Sequence, residues 1–169
     1  MRKLLFSVVL ALMCFGALGA ATAQTSSTKA EEVLHTWYHL GLELVWHTPT
    51  YSPPVASRSF AYLGVTAFEA VATGSDELQT LAGQLHGLKP VPQREPGKTY
   101  DEAAVLQAAM AFAVQHFFEN TGPSGQNAMA KLEVKLREKV STDVPADVLG
   151  RSEAHGRAVA EHILAWSAD

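Results

Sequence analysis

The sequence predicts an all-α protein, a bundle of five to six helices behind a cleaved signal peptide. Three observations carry that expectation. Apolar residues recur at three- and four-residue spacing through most of the chain. No stretch alternates apolar and polar residues in the manner of a half-buried strand. The eight prolines fall between the periodic stretches or at their starts, where a helix cannot continue or has just begun. Hydrophobic residues make up 47% of the 169 residues, enough for an ordinary core and too many for wholesale disorder.

The N-terminus reads as a signal peptide over residues 1–23. Arg2 and Lys3 form a positive start, Leu4 to Ala20 is an uncharged apolar run, and Ala21-Thr22-Ala23 is a small-x-small cleavage site. Cleavage before Gln24 removes the single cysteine, Cys14, so the mature chain has no disulfide and no Cys-based zinc site. It also removes two cations and no acid, making the net charge of -4 two units more negative. That balance excludes a nucleic-acid binder that works by neutralising phosphates. No second apolar span follows, so a soluble periplasmic or secreted protein with no membrane partner is expected.

Residues 24–29 form a polar, small-residue leader, and residues 30–169 form the all-α domain. Ala30 to His47 is helical by period, with Val33, Trp37, Leu40 and Leu44 on one face and Leu34 and Val45 beside it. Thr48 to Pro54 breaks it, and Pro54 suits the first turn of the next helix. Val55 to Ala72 carries only Arg58 and Glu69 as charges, which predicts a central, buried helix. Gly74 is a candidate C-cap and Ser75 a candidate N-cap for a short helix over Asp76 to Leu85. Gly87 to Thr99, rich in Pro and Gly, is an exposed loop. Thr99 with Glu102 fits a capping box for the alanine-rich helix Tyr100 to Phe118. Ser124 is a candidate cap before the amphipathic Gln126 to Val140, where Met129, Leu132, Leu136 and Val140 face inward. Asp143 to Pro145 breaks the chain again. Ala146 to Ala168 is a last helix, with Leu149, Val159, Ile163 and Trp166 apolar. The chain stops at Asp169 without a C-cap glycine or polar tail, which reads as an interrupted domain.

The candidate chemistry is thin. His35, His39 and Glu43 lie at i, i+4 and i+8, one helical stripe whose two imidazoles and carboxylate are metal-ligand types. A lone HxxxH is common and lacks the catalytic glutamate of HExxH, so a polar flank beside the Trp37 face is the better explanation of the stripe. His155 and His162 share a face beside Glu161 but are too far apart to chelate unaided. His47, His86 and His116 read as cap or surface residues. Arg58 and Glu69 lie about three turns apart on one face, so each is expected to pair with another helix, or to line a polar pocket. Ser124 sits in Gly122-Pro123-Ser124-Gly125-Gln126, which lacks the last glycine and the preceding strand of a nucleophile elbow. No glycine-rich phosphate loop is present.

The stretch Trp37 to Ala72, WYHLGLELVWHTPTYSPPVASRSFAYLGVTAFEAVA, resembles the N-terminal region of bacterial vanadium-dependent haloperoxidase-like proteins, relatives of the type 2 phosphatidic acid phosphatases. The resemblance rests on Trp37, on Ser52-Pro53-Pro54 with Arg58, and on Phe68-Glu69-Ala70, where the family usually has aspartate in place of Glu69. Ala103 to Phe118 resembles the family's alanine-rich helix, and Gly150 to Asp169 the helix that leads into its catalytic half. The family's oxyanion site needs Lys-x6-Arg-Pro, then Pro-Ser-Gly-His, then Ser-Arg-x5-His-x3-Asp. None of these is present: Pro123-Ser124-Gly125 is followed by Gln126, and Ser57-Arg58 lacks the histidine. The resemblance therefore implies a helical N-terminal half with no catalytic residue and no cofactor site of its own. Vanadate or phosphate is expected only in a missing C-terminal half. That half, or a second copy of this chain, is the partner it implies. An independent exported helical binding module, with a metal on His35, His39 and Glu43, is the alternative reading. An intact haloperoxidase or phosphatase with a cryptic site is a third.

Overall fold

The computed structural model describes residues 27–168, which form five helices and no strand. The first, α1, covers 27–47; α2 is Pro53–Ala72, α3 Glu102–Phe117, α4 Pro123–Ser141 and α5 Ala146–Ser167. The fold is all-α. The signal peptide, residues 24–26 of the leader and Asp169 lie outside the described residues. Residues 27–29, assigned to the leader by sequence, are already helical.

Helix α1 buries the face its period predicts: Val33, Trp37 and Leu44 are buried, and Leu34, Leu40 and Val45 pack beside them. Gly41 lets α2 come close, because a Cβ there would sit 3.1 Å from the Phe60 ring. Pro53 and Pro54 open α2 in the first turn, where no backbone donor is wasted. The alanine-rich α3 is the hub. Ten of its residues are buried, and it touches α2, α4 and α5. Through the Trp37–Gln107 hydrogen bond it also reaches α1. The nearly uncharged α2 is thus not the central helix. Its Arg58 is exposed, while uncharged surface on α3 is almost fully used.

Small residues explain the tightest contact. A Cβ on Gly156 of α5 would lie 2.1 Å from the Val105 carbonyl oxygen of α3. That close approach needs a glycine on one helix and short neighbours on the other. Two aromatic sets meet the C-terminal end of α3: Tyr51 and Phe60 pack on Phe118, and Phe117 and Trp166 pack on Tyr62, joining α2, α5 and the α1–α2 turn to it. Helix α4 is amphipathic as expected, burying Met129, Leu136 and Val140. Asp143 takes a left-handed φ of 65° in the break before α5.

Three local expectations are corrected. Residues 76–85 are not helical. They form bends and turns with one isolated bridge between Ala82 and Leu85, with positive-φ Gly83 inside that bridge and positive-φ Gly87 after it. The N-cap of α3 is Asp101, whose side chain accepts from the Ala104 N–H at 2.9 Å, so the box from Thr99 to Glu102 does not form. Helix α4 starts at Pro123 with Gly122 as N-cap, which leaves Ser124 inside the first turn with no capping bond.

Candidate functional site

A cavity of about 350 Å³ opens between α3, α4 and α5. Its floor is apolar: Ala108, Ala111 and Phe112 of α3 with Ala154 of α5. Gln107 closes the base. Its Oε1 accepts from the Trp37 indole N–H at 2.8 Å, both groups being buried. Four charged side chains form the rim. Arg137 pairs with Glu153 at 2.6 Å, and Glu133 takes a hydrogen bond from Gln115. Arg157 pairs with Glu161 at 2.8 Å and stacks 4.3 Å above the Phe112 ring. Glu153 pushes the Arg137 pKa up through that hydrogen bond and its charge.

The donor set decides what this cleft can hold. Two guanidinium groups are the right type for an oxyanion. Each is already matched by a carboxylate, and Glu133 and Glu153 both face the space. No histidine lines it. A vanadate or phosphate would meet two negative charges and no imidazole, so the residues here do not fit that group.

The sequence-predicted residues are scattered. His35, His39 and Glu43 line one shallow hollow on the outside of α1 with Thr36, Leu40 and Leu132. Glu43 turns to His47 at 3.5 Å. Among the described residues no group of three or more His, Cys, Asp or Glu is arranged to hold a metal ion. Ser124 lines a separate cavity with Glu43 and His47. His155 and His162 point to different partners: His155 Nε2 lies 2.9 Å from Thr73 Oγ1, and His162 Nε2 donates to the Lys89 carbonyl at 3.0 Å. His47, His86 and His116 are exposed. Arg58 donates to the Ser167 carbonyl at 2.9 Å and to the Tyr62 hydroxyl at 3.2 Å. It thereby places a cation at the C-terminus of α5, as pairing with another helix requires.

Glu69 does not pair with a helix. It is fully buried, and its carboxylate accepts from the Thr80 hydroxyl and, at 2.6 Å, from the Leu81 N–H. The charge is met by donors of the 73–101 segment rather than by a cation. A second, half-buried polar cluster ties the same segment to α3 and α5. Arg94 binds Glu102 through both guanidinium ends and reaches Thr73 Oγ1 at 3.4 Å. Gly74 leaves it room, since a Cβ there would fall inside the guanidinium. His155 is buried against Tyr100, with ring centroids 5.5 Å apart. Sequence reasoning passed over Arg94, Thr80 and Gln107. Only Gln107 carried a signal, as an amide in the middle of the apolar, alanine-rich run Ala103 to Val114.

This bundle has a vanadium haloperoxidase-like fold. It is similar to the crystal structure described as the first bacterial vanadium-dependent iodoperoxidase, with a TM-score of 0.70 and 31% sequence identity. The match covers 81% of this chain and 32% of the iodoperoxidase, so the chain spans about a third of that protein's length. No protein-family profile matches the chain, and no match was found among curated proteins.

Proposed function

We propose that this chain is the N-terminal, non-catalytic helical part of a vanadium-dependent haloperoxidase-like or type 2 phosphatidic acid phosphatase-like protein, exported after removal of residues 1–23. The observation that carries the reading is the likeness to the iodoperoxidase, which takes in most of this chain and a third of that one. The sequence supports it, because the Lys-x6-Arg-Pro, Pro-Ser-Gly-His and Ser-Arg-x5-His-x3-Asp segments are not in these residues. In this reading the bundle packs and walls a catalytic part supplied by further polypeptide, and the oxyanion chemistry belongs there.

The test is direct. The purified chain is assayed with vanadate, peroxide and iodide or bromide, and separately with a phosphate monoester. No turnover above the protein-free blank is expected. Turnover that co-purifies with this chain and falls in an Arg137→Ala, Arg157→Ala double variant would overturn the proposal. The transcript beyond codon 169 gives the complementary readout. The reading expects the three missing motifs there, in frame or after one shift, or on a partner gene.

A further inference from the structure

We propose that His35 and His39 form a two-imidazole chelate on the outside of α1 for a divalent late transition-metal ion, copper(II) before nickel(II) or zinc(II). The two residues are four apart on one continuous helix, 27–47, so their side chains rise side by side, with Cβ atoms about 5–6 Å apart. Both are exposed, and both line the same hollow. Neither imidazole is spent on a hydrogen bond or an ion pair among the described residues. Three other histidines are engaged: His155 with Thr73, His162 with the Lys89 carbonyl, and His47 with Glu43 at 3.5 Å.

Helix α1 cannot roll to hide this pair. Its inner face is fixed by Val33, Trp37 and Leu44, all buried, and by the Trp37–Gln107 bond. Leu40 and Leu132 of α4 form the apolar wall behind the imidazoles. A ligand pair carried on packed backbone keeps its spacing, so binding orders little beyond the two side chains. The surrounding charge favours a cation. Glu31 stands one turn before His35 and Glu43 one turn after His39, both exposed, so carboxylates bracket the pair. Glu43 is not a third ligand here, because it turns to His47 rather than to His39. Among the described residues no three such groups converge, so the protein supplies two ligands and water the rest.

That donor set selects the metal. Imidazole suits copper, nickel and zinc, and affinity at a nitrogen site is highest for copper(II). Copper(II) favours a tetragonal plane, which two adjacent nitrogens and water complete. A structural zinc site needs four ligands from the protein, which this stripe does not offer. The open positions leave the ion exchangeable and able to take a further ligand from solution.

Copper(II) titration of the purified, untagged chain at about pH 7.5, above the ordinary imidazole pKa, reads the site. Any retained Cys14 is alkylated first. Trp46 is 84% exposed on the same helix, about 10 Å along the axis from His39, so its emission reports the bound ion. Saturable quenching at one copper per chain is expected in the micromolar range, with an electron paramagnetic resonance spectrum of nitrogen ligation. His35→Ala and His39→Ala should each weaken binding by about tenfold or more, because the remaining imidazole loses its tethered partner. Both positions are exposed, so the fold should survive, and circular dichroism checks it. His47→Ala and Glu43→Gln should bind nearly as well as the parent. No saturable binding, one copper per two chains, or equal affinity in the parent and in both His35→Ala and His39→Ala overturns the proposal. So does a loss in His47→Ala as large as that in His39→Ala, which would put the ion at the other end of the stripe.

Discussion

The bond between the Trp37 indole and Gln107 joins two side chains that are 0% and 3% exposed. A buried donor left without its acceptor costs about 1–3 kcal/mol, more than a typical made bond contributes. Gln107→Leu should therefore lower stability by about 1–3 kcal/mol in urea unfolding, although it adds apolar volume. Replacing both partners at once, Trp37→Phe with Gln107→Leu, should cost less than the two single changes added together, and additive costs would show that the bond is not coupled. Glu69 follows the same rule with a charge. Its burial is tolerable because a hydroxyl and a backbone N–H from a distant loop face it. Neither arrangement was fully legible in the sequence. A glutamine inside an apolar run and a lone glutamate among apolar residues mark a polar need, but the donor that meets it lies many residues away.

At the scale of elements, the helices could be read because each repeats its apolar face within a few turns. Val33, Trp37 and Leu44 of α1, and Met129, Leu136 and Val140 of α4, are buried as their spacing requires. The segment after α2 was misread for a physical reason. Ser75 does accept from the N–H groups of Glu77 and Leu78, which is what a helix cap does. The chain then gives its next donors to Glu69, which captures them before a helical turn can close. The rank of the helices was also hidden. Apolar composition favoured α2 as the centre, whereas α3 takes that place because alanine lets three neighbours approach it. The α3–α5 contact yields a prediction at this scale. Gly156→Ala forces a methyl group against a backbone carbonyl that cannot rotate away. The variant should lose about 1–3 kcal/mol, whereas Gly150→Ala, which meets nothing within 4 Å, should be neutral or slightly stabilising. Equal stability of Gly156→Ala and the parent would mean that the helices slide apart without loss.

For the whole molecule, the resemblance seen in the sequence and the fold agree, while the site does not gather. The motif Ser52-Pro53-Pro54 with Arg58 became a helix start and a helix-end contact, neither of which is chemistry. No helix of the described residues is long and apolar enough to cross a membrane. The outer face of α1 carries Leu42 at 59% and Trp46 at 84% exposure, one turn apart. If the chain is part of a larger assembly, such surface should drive association of the isolated protein. Sedimentation should then depend on concentration, and Leu42→Glu with Trp46→Glu should weaken that dependence. A compact monomer at every concentration, without binding of an apolar dye, would remove this support. The three tryptophans also differ in setting: Trp37 is sealed in the core, Trp46 stands in solvent, and Trp166 is half-buried under the segment it anchors. Their emission is therefore separable by colour and by access to a quencher. Trp46 should be quenched in the intact fold, Trp166 in part, and Trp37 only at global unfolding. The native chain thus reports its own unfolding without an added label.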